Sequence, residues 1–346
     1  MIGDQCPLPG SGDGDRIQLA HGEGGRLMRS LLGEVIIPTL GNDLLAQAHD
    51  GCVLPTLNGP AVFTTDSYVV TPLLFPGGDI GKLAVYGTSN DLAVSGARPR
   101  WLSLSLIIEE GLSLSFLRRI LQSIADAARE ADVQVVTGDT KVVPRGAADG
   151  LFITTSGVGE LMMPAPWPEG IQPGDAILVT GPIGRHGIAV LAARERLEMD
   201  PVPTSDTGAL FPAVAALHEA GVPIHALRDC TRGGLTAVLH EWAHASRTTM
   251  IIEGSQVPVL PETRGLCELL GLDPFHCACE GTMAIALPAD HVNHALQVLQ
   301  SVNISASAVH IGEAVPRQIS PVAVRRSLGQ LVALDEPWGA PLPRIC

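Results

Sequence analysis

Long apolar runs and the common nucleotide-binding loops are both missing from this sequence. No stretch approaches about 18 consecutive apolar residues, and the polar, glycine-rich residues 1–14 have no apolar segment typical of a signal peptide. Neither a Gly-x-x-x-x-Gly-Lys-Ser/Thr loop nor a Gly-x-Gly-x-x-Gly motif after a strand occurs. These absences exclude a membrane-spanning protein, a P-loop enzyme and a Rossmann-type dinucleotide-binding protein. We expect a cytoplasmic protein with no membrane partner.

Lysine is almost absent, because only Lys82 and Lys141 are lysines among the 22 basic residues. Such a ratio reflects codon usage rather than function, but it draws attention to the two lysines that remain. The net charge of −14 disfavours nucleic acid and anionic membranes as partners. The seven cysteines, an odd number scattered over a long chain, are typical of reduced thiols in the cytosol.

The length of 346 residues and the 46% of hydrophobic residues favour two domains. Alternating and helical patterns recur in both halves, which predicts a mixed α+β (α/β) fold. Four prolines between residues 162 and 174 indicate a linker. The predicted parts are a mobile glycine-rich segment at 1–35, a first domain at 36–161, the linker at 162–174, a second domain at 175–330 and a flexible C-terminal tail at 331–346.

Aspartates at predicted strand ends in the first half are candidates for ligand binding. Asp66 follows one predicted strand, Asp139-Thr140-Lys141 follows another, and Asp50 is a weaker member of the same type. An ordinary turn would explain each aspartate singly. A turn does not explain Lys141, which would supply a point charge to a phosphate.

Asn90 and Asp91 interrupt a predicted helix, where both residue types are unfavourable in the interior. A solvent-facing helical turn would explain them without any ligand. Several such aspartates from separate elements of one half nevertheless predict a Mg²⁺–triphosphate site, because Mg²⁺ binds few protein carboxylates and shares phosphate oxygens.

The second half offers weaker signals. The stretch Arg228–Gly234 leads into a predicted helix whose N-terminus could bind an anion, although helix capping explains it equally well. Cys277 and Cys279 lack the paired spacing of a structural zinc site, so we predict buried thiols. Glu280, directly before a predicted strand, is a better candidate for a positioned carboxylate.

The last eight residues, 339–346, form an arm that ends in a thiol. Pro341 and Pro343 exclude a helix or a central strand there. The end of a domain is usually mobile, and by itself Cys346 would be an incidental cysteine on a frayed terminus.

A set of motifs in a fixed order makes the chain resemble the HypE family of hydrogenase maturation factors. The resemblance covers essentially the whole chain, and the terminal tetrapeptide separates this family from its relatives in the aminoimidazole ribonucleotide synthetase (PurM-like) superfamily. The motifs are His21-Gly-Glu-Gly-Gly25, Phe63–Pro72, Phe75–Gly81, Asn90–Ala97, Thr137–Val143 and Pro343-Arg-Ile-Cys346.

The resemblance implies two PurM-like domains, of which the N-terminal one dimerises, and an ATP site with Mg²⁺. It assigns the catalytic roles to Cys346, Glu280 and Lys141. It implies the metal ligands Asp50, Asp66, Asp91 and Asp139, although His49-Asp50 replaces a common aspartate pair and leaves the first ligand in doubt. It implies the nucleotide-binding residues Asp66, Gly77, Gly78, Asn90, Asp91, Asp139, Thr140 and Lys141.

The resemblance also implies the reaction and the partners. A HypF-like carbamoyltransferase would place a carbamoyl group on Cys346. The chain would then dehydrate that S-carbamoyl group to an S-thiocyanate with ATP. The cyanide would pass to iron in a HypC–HypD complex, for [NiFe]-hydrogenase. Glu280 would lie near the modified cysteine as a candidate base.

Two alternatives remain open from the residues. The chain could be a PurM-superfamily enzyme that activates a small-molecule amide or acid oxygen with ATP. It could also be a non-catalytic cyanide carrier that uses its tail as a shuttle.

Overall fold

Two β-sheets, one in each half, organise the chain. The computed structural model describes residues 16–47 and 51–336, so Asp50 and the tail residue Cys346 lie outside the described residues. The strands are β1 (Ala61–Tyr68), β2 (Leu74–Phe75), β3 (Gly78–Asp79), β4 (Ala97–Glu109), β5 (Gln134–Val143), β6 (Leu151–Leu161), β7 (Asp175–Val179), β8 (Ala226–Asp229), β9 (Thr248–Glu253), β10 (Met283–Pro288), β11 (Val309–Pro316), β12 (Val322–Arg325) and β13 (Leu331–Ala333).

The first sheet has the strand order β1–β6–β4–β5 and the second has the order β13–β12–β9–β11–β7–β10–β8, while β2 and β3 form a separate two-stranded sheet. Within the described ranges no helix is both long and apolar enough to cross a membrane. The helices are α1 (Arg26–Leu31), α2 (Ile37–Leu40), α3 (Ile80–Val94), α4 (Leu114–Glu130), α5 (Arg185–Arg194), α6 (Phe211–Glu219), α7 (Gly234–Ser246), α8 (Pro261–Leu270) and α9 (Val292–Gln300).

The first sheet has one covered face and one open face. Leu102, Leu104 and Leu106 alternate along β4 towards a buried core that also contains α3 and α4. The intervening residues Ser103 and Ser105 point to the other face, because successive side chains of a strand alternate. The sequence pattern therefore sets which residues of all four strands face the core.

The helices on the covered face begin at defined caps. Asp79 accepts hydrogen bonds from the backbone N–H groups of Gly81 and Lys82 and so caps α3. Ser113 accepts one from Phe116 and caps α4, as the sequence predicts. Most of α3 is buried, because one side packs on the first sheet and the other side meets the second half.

Several element boundaries differ from the sequence prediction. The sequence patterns predict that β1 ends at Thr65 and that β5 ends at Thr137. In the structure β1 continues through Asp66 and β5 continues through Asp139. A polar side chain does not end a strand in a sheet with one solvent-exposed face, because the hydrogen bonds between strands are made by the backbone and not by the side chains.

Four further stretches also differ from the prediction. Residues 26–40, which overlap the predicted mobile segment, form α1, a π-helical turn and α2, because Leu31 and Val35 pack into the first core. Residues 331–333 of the predicted tail form β13, which pairs with β12. The sequence patterns also miss β8 and α8, which are short and bounded by loops.

Candidate active site between the two halves

A cleft of about 780 Å³ lies between the two halves. Strand β1 and helix α3 line it from the first half, and β8, α7 and the loop before β10 line it from the second half. Five acidic residues line this cleft, with two arginines among them. The acids are Asp66, Asp91, Asp229, Glu241 and Glu280, and the arginines are Arg228 and Arg232.

Asp66 and Asp91 supply the first-half carboxylates of the cleft. The Thr64 hydroxyl donates a hydrogen bond of 3.0 Å to Asp91. Burial raises the pKa of Asp91, and the charge of Asp66 adds to this, while the Thr64 hydrogen bond opposes it. Asp66 is paired weakly with Arg232 of the second half at 3.5 Å. The structure therefore brings these two predicted metal ligands to one cleft.

Asp229 is a cleft carboxyl that the sequence prediction misses. It ends β8 and is buried, and burial together with the charge of Asp91 raises its pKa to about 7. The motif Arg228–Gly234 contains it, but β8, which overlaps the start of the motif, is too short to recognise from the sequence. A recognised strand would have given Asp229 the same signal as Asp66, an acid where a strand meets a cleft.

Glu280 lies at the floor of the cleft and is only 4% exposed. Burial raises its pKa well above the usual range, and the charges of Asp229 and Asp206 raise it further. Both causes disfavour the ionised form, so the Glu280 carboxyl holds a proton more tightly than an exposed glutamate does. The cleft therefore contains a buried carboxyl whose proton affinity is raised by burial and by its acidic neighbours.

Asn90, Gly77 and Gly78 lie where the halves meet rather than open to the cleft. The Asn90 amide donates to the carbonyl of Gly208 at 3.0 Å and accepts from the backbone N–H of Leu210 at 2.8 Å. Gly77 has a φ of 94°, and an added Cβ would lie 2.6 Å from the carbonyl oxygen of Ser205. These contacts explain the asparagine and Gly77 by packing between the halves.

Asp139, Thr140 and Lys141 lie apart from the cleft. In the strand pairing, Ser67 of β1 lies opposite a threonine of β6, that threonine lies opposite Ser105 of β4, and Ser105 lies opposite Asp139 of β5. These paired residues form one row across the sheet. The row places Asp139 three strand spacings from β1, about 14 Å. Alternation places it on the open face, whereas Asp66 points to the covered face.

Lys141 shares the open face with Asp139, and the two side chains form an ion pair of 3.3 Å. Thr140, between them, is buried on the covered side. One copy of the chain therefore divides the predicted nucleotide-binding residues between two faces of the sheet. Among residues 16–47 and 51–336, no three His, Cys, Asp or Glu side chains are grouped so that they could hold a metal ion.

Just before its last ten residues the chain packs against α7, a helix that also lines the cleft. The buried His240 of α7 donates a hydrogen bond of 2.7 Å from Nε2 to the backbone carbonyl of Leu334. Val238 and Glu241, on the same helix, line the cleft. The last described residues thus leave from a helix that forms one wall of the site.

The cysteines before Glu280 are buried, as the sequence predicts. Cys277 and Cys279 are each at most 1% exposed. The Sγ of Cys277 lies 4.0 Å from that of Cys267, and the Sγ of Cys279 accepts from the backbone N–H of Gly184. They pack the loop beneath Glu280 and do not form a metal site.

Two family models match the chain: the N-terminal domain of AIR synthase related proteins over residues 48–161 and the C-terminal domain over residues 172–324. These matches confirm the predicted mixed fold of two related domains. The carbamoyl dehydratase HypE of Rhodobacter capsulatus is 44% identical over 336 residues, which cover 96% of this chain and 98% of that protein.

Two solved structures extend the similarity to three dimensions. A crystal structure of the hydrogenase maturation protein HypE in complex with ATP is 42% identical, has a TM-score of 0.91, and covers 95% of this chain and 99% of its own. A crystal structure of a HypE–HypF complex is 39% identical, has a TM-score of 0.78, and covers 89% of this chain and 100% of its own.

Proposed function

Since the chain belongs to the HypE family of carbamoyl dehydratases, we propose that it is an ATP-dependent carbamoyl dehydratase of hydrogenase maturation. Its substrate is the S-carbamoyl group on its own Cys346, and its product is the S-thiocyanate. A HypF-like carbamoyltransferase supplies the carbamoyl group, which is supported by the similarity to a HypE–HypF complex. A HypC–HypD complex receives the cyanide.

The observation that carries the proposal is the position of Glu280 relative to the start of the tail. Glu280 is a buried carboxyl of raised pKa in the cleft, and Leu334 is held on α7, which lines the same cleft. The twelve residues from 335 to 346 can span up to roughly 40 Å when extended. Cys346 can therefore reach Glu280 and can also reach outwards to a partner.

Dehydration of the S-carbamoyl group requires a general base and an activated carbamoyl oxygen. The carbamoyl oxygen takes the γ-phosphoryl group of ATP and becomes a good leaving group. The nitrogen loses one proton to solvent as the oxygen is phosphorylated, which gives a C=N double bond. Loss of the second proton then breaks the C–O bond, so that phosphate leaves and a C≡N bond forms on the carbon attached to sulfur. Glu280 accepts a proton from nitrogen in this step. The buried floor of the cleft keeps water from the reactive intermediate.

The carboxylates of the cleft fit a magnesium ion. Burial and mutual repulsion raise the pKa values of Asp91 and Asp229, so a cation between them would relieve an unfavourable charge. Carboxylate oxygens are ligands of Mg²⁺, which usually takes one or two of them and completes its shell with phosphate and water. Asp66 and Asp91 would hold the ion, and its charge would stabilise the transferring phosphoryl group.

A homodimer would bring the divided nucleotide-binding residues together. The open face of the first sheet carries Asp139 and Lys141 and also exposes the apolar side chains of Phe63 and Ile107. Exposed apolar side chains that share one face often mark a surface of association. Two copies that meet through this face could each supply part of one ATP site.

The test uses the full chain, carbamoylated on Cys346 by a HypF-like carbamoyltransferase and then incubated with Mg²⁺ and ATP. We expect an ATP-dependent mass loss of one water and no loss in Cys346→Ser. If the mass stays constant, the chain is not a dehydratase. If Glu280→Gln and Asp91→Asn still deliver cyanide, the chain is a carrier. If Cys346→Ser retains ATP turnover on a small amide, the substrate is a separate molecule.

A further inference from the structure

The backbone around Glu280 has no regular secondary structure of its own. It follows a short 3₁₀ turn at Pro274–His276 and precedes β10, so neither a helix nor a strand ladder fixes it. A carboxyl on such a segment can be held in one place only if other groups bond its backbone. Two buried side chains, Asp206 and Asn90, do this from opposite sides.

Asp206 holds the N–H side of the segment. Its Oδ1 accepts from the backbone N–H of Glu280 at 3.0 Å, and its Oδ2 accepts from the backbone N–H of Gly281 at 3.1 Å. The hydroxyl of Thr282 donates to the same Oδ2 at 2.9 Å. Three donors from consecutive residues therefore converge on one buried carboxylate.

The carbonyl side of the segment is tied to the first half of the chain. The Asn90 amide of α3 donates to the carbonyl of Glu280 at 3.4 Å and to that of Gly208 at 3.0 Å. The backbone N–H of Gly208 also donates to the Glu280 carbonyl at 3.3 Å. Asp206 and Gly208 lie on one loop, so this loop is held between α3 and the Glu280 segment.

We propose that Asp206 and Asn90 are positioning residues that hold the Glu280 carboxyl in place for proton abstraction. The carboxylate of Asp206 holds the backbone N–H of Glu280, and the amide of Asn90 ties its carbonyl to α3. This inference rests on the proposed function, in which Glu280 is the base. Neither residue touches the reacting atoms in this arrangement, because both act through the backbone of Glu280.

The first experiment compares the carbamoylated full-length chain with Asp206→Ala and Asp206→Asn at saturating Mg-ATP. The rate of water loss should fall about 10- to 100-fold in Asp206→Ala, since displacements of about 1 Å in an active site have effects of that size. The dissociation constant of ATP should stay within about twofold of the parent value, because Asp206 holds the base and not the nucleotide. Asp206→Asn keeps one acceptor oxygen and should recover part of the rate.

Asp175→Ala is the matched control. Asp175 is also buried in the second half and accepts from the backbone N–H of Gln172 and from His225, but it lies at the far end of β10 from Glu280. Its water-loss rate should match that of the parent. Equal slowing in Asp175→Ala and Asp206→Ala would overturn the proposal, and so would a parental rate in Asp206→Ala. If Asp206→Ala does not fold, the same comparison is made with Asp206→Asn.

Amide hydrogen exchange separates this inference from the proposed function. The peptide that contains residues 278–283 should exchange faster in Asp206→Asn than in the parent and should be unchanged in Asp175→Ala. Unchanged exchange in Asp206→Asn overturns the positioning role whatever the reaction. If the parent chain loses no water with ATP while this exchange difference is present, the dehydratase proposal fails and the structural role of Asp206 stands.

Discussion

The hydroxyl of Thr64 donates a 3.0 Å hydrogen bond to the half-buried carboxylate of Asp91. This bond joins strand β1 to helix α3 at the edge of the cleft between the two halves. It fixes one carboxylate oxygen of Asp91, and Asp91 lines the cleft together with Asp66 and Glu280. The unfavourable position of an aspartate inside a helix is thus offset by a specific partner and by its place in the site.

Asp91→Asn should abolish ATP-dependent dehydration, with a loss of at least about 100-fold, because the variant keeps the shape but lacks the charge that a magnesium ion needs. The measurement is the rate of water loss and of ADP release over a Mg²⁺ titration. Asp126→Asn on α4 is the control, because Asp126 is an exposed aspartate paired with Arg129. Equal activity in both variants would show that Asp91 holds no ion.

Asp229→Asn should change how stability depends on pH. The pKa of Asp229 is raised from the ordinary 3.8 to about 7, mainly by burial, so the folded chain keeps a proton there that the unfolded chain releases. The free energy of unfolding therefore falls as the pH rises between these two values and levels off above them. The asparagine variant lacks this fall, so its advantage over the parent should grow across that window to at most about 4 kcal/mol.

The measurement is denaturant unfolding without added magnesium from about pH 4.5 to about pH 8. Asp126→Asn is again the control, since its partner Arg129 lowers the pKa of Asp126. Its contribution is lost only as the pH falls through that lowered value, so the control should run parallel to the parent over this range. A constant difference between Asp229→Asn and the parent would contradict the raised pKa.

The sequence predicts the elements of this fold better than the partners of its polar residues. The alternation of leucine and serine along β4 and the small apolar residues of α3 are local patterns, and both elements form as they predict. The patterns cannot show that Asn90 bonds Gly208 and Leu210, about 120 positions away. An asparagine inside a helix is unusual whether it binds a nucleotide or another loop, and only the fold separates the two.

The same limit applies to the acidic residues. Asp66 and Asp139 have the same pattern in the sequence, because each is an acidic residue directly after a predicted strand. Their separation on two faces follows from strand order and register, which join residues of β1, β6, β4 and β5 that are far apart in the chain. Glu280 was predictable as a carboxylate before a strand, whereas Asp206 gave no local signal.

Gly281→Ala should prevent the loop of Asp206 from packing against the Glu280 segment. An added Cβ would lie 1.8 Å from the backbone carbonyl oxygen of Asp206. The contact involves the backbone of both segments, so neither can relieve it by a simple change of side-chain rotamer. We expect a loss of at least about 3 kcal/mol in the free energy of unfolding. Gly265→Ala is the control, because a Cβ at Gly265 in α8 meets no atom within 4 Å.

The alanine in α8 should leave stability unchanged or raise it by up to about 1 kcal/mol, because alanine favours the helix over glycine. Thermal and denaturant unfolding of the two variants give the comparison. Similar stabilities would mean that the two loops are not in close contact at Gly281.

Phe63→Glu should dissociate the proposed homodimer. Phe63 is 67% exposed on the open face of the first sheet, which also exposes Ile107, and the proposed interface would bury both side chains. A carboxylate there would be desolvated in the interface, so the sedimenting mass should fall from that of two chains to that of one. Ile319→Glu is the control, because Ile319 is fully exposed in the second half and away from this face.

ATP affinity should fall together with the mass, because one chain carries Asp91 in the cleft and Lys141 on the open face. Residues on two faces of a sheet can meet one nucleotide when a second copy supplies one of the two sets. A monomeric Phe63→Glu chain that binds Mg-ATP as tightly as the parent would show that one copy holds the complete site. Lys141 would then act only through its ion pair with Asp139, and Lys141→Met should leave ATP affinity unchanged.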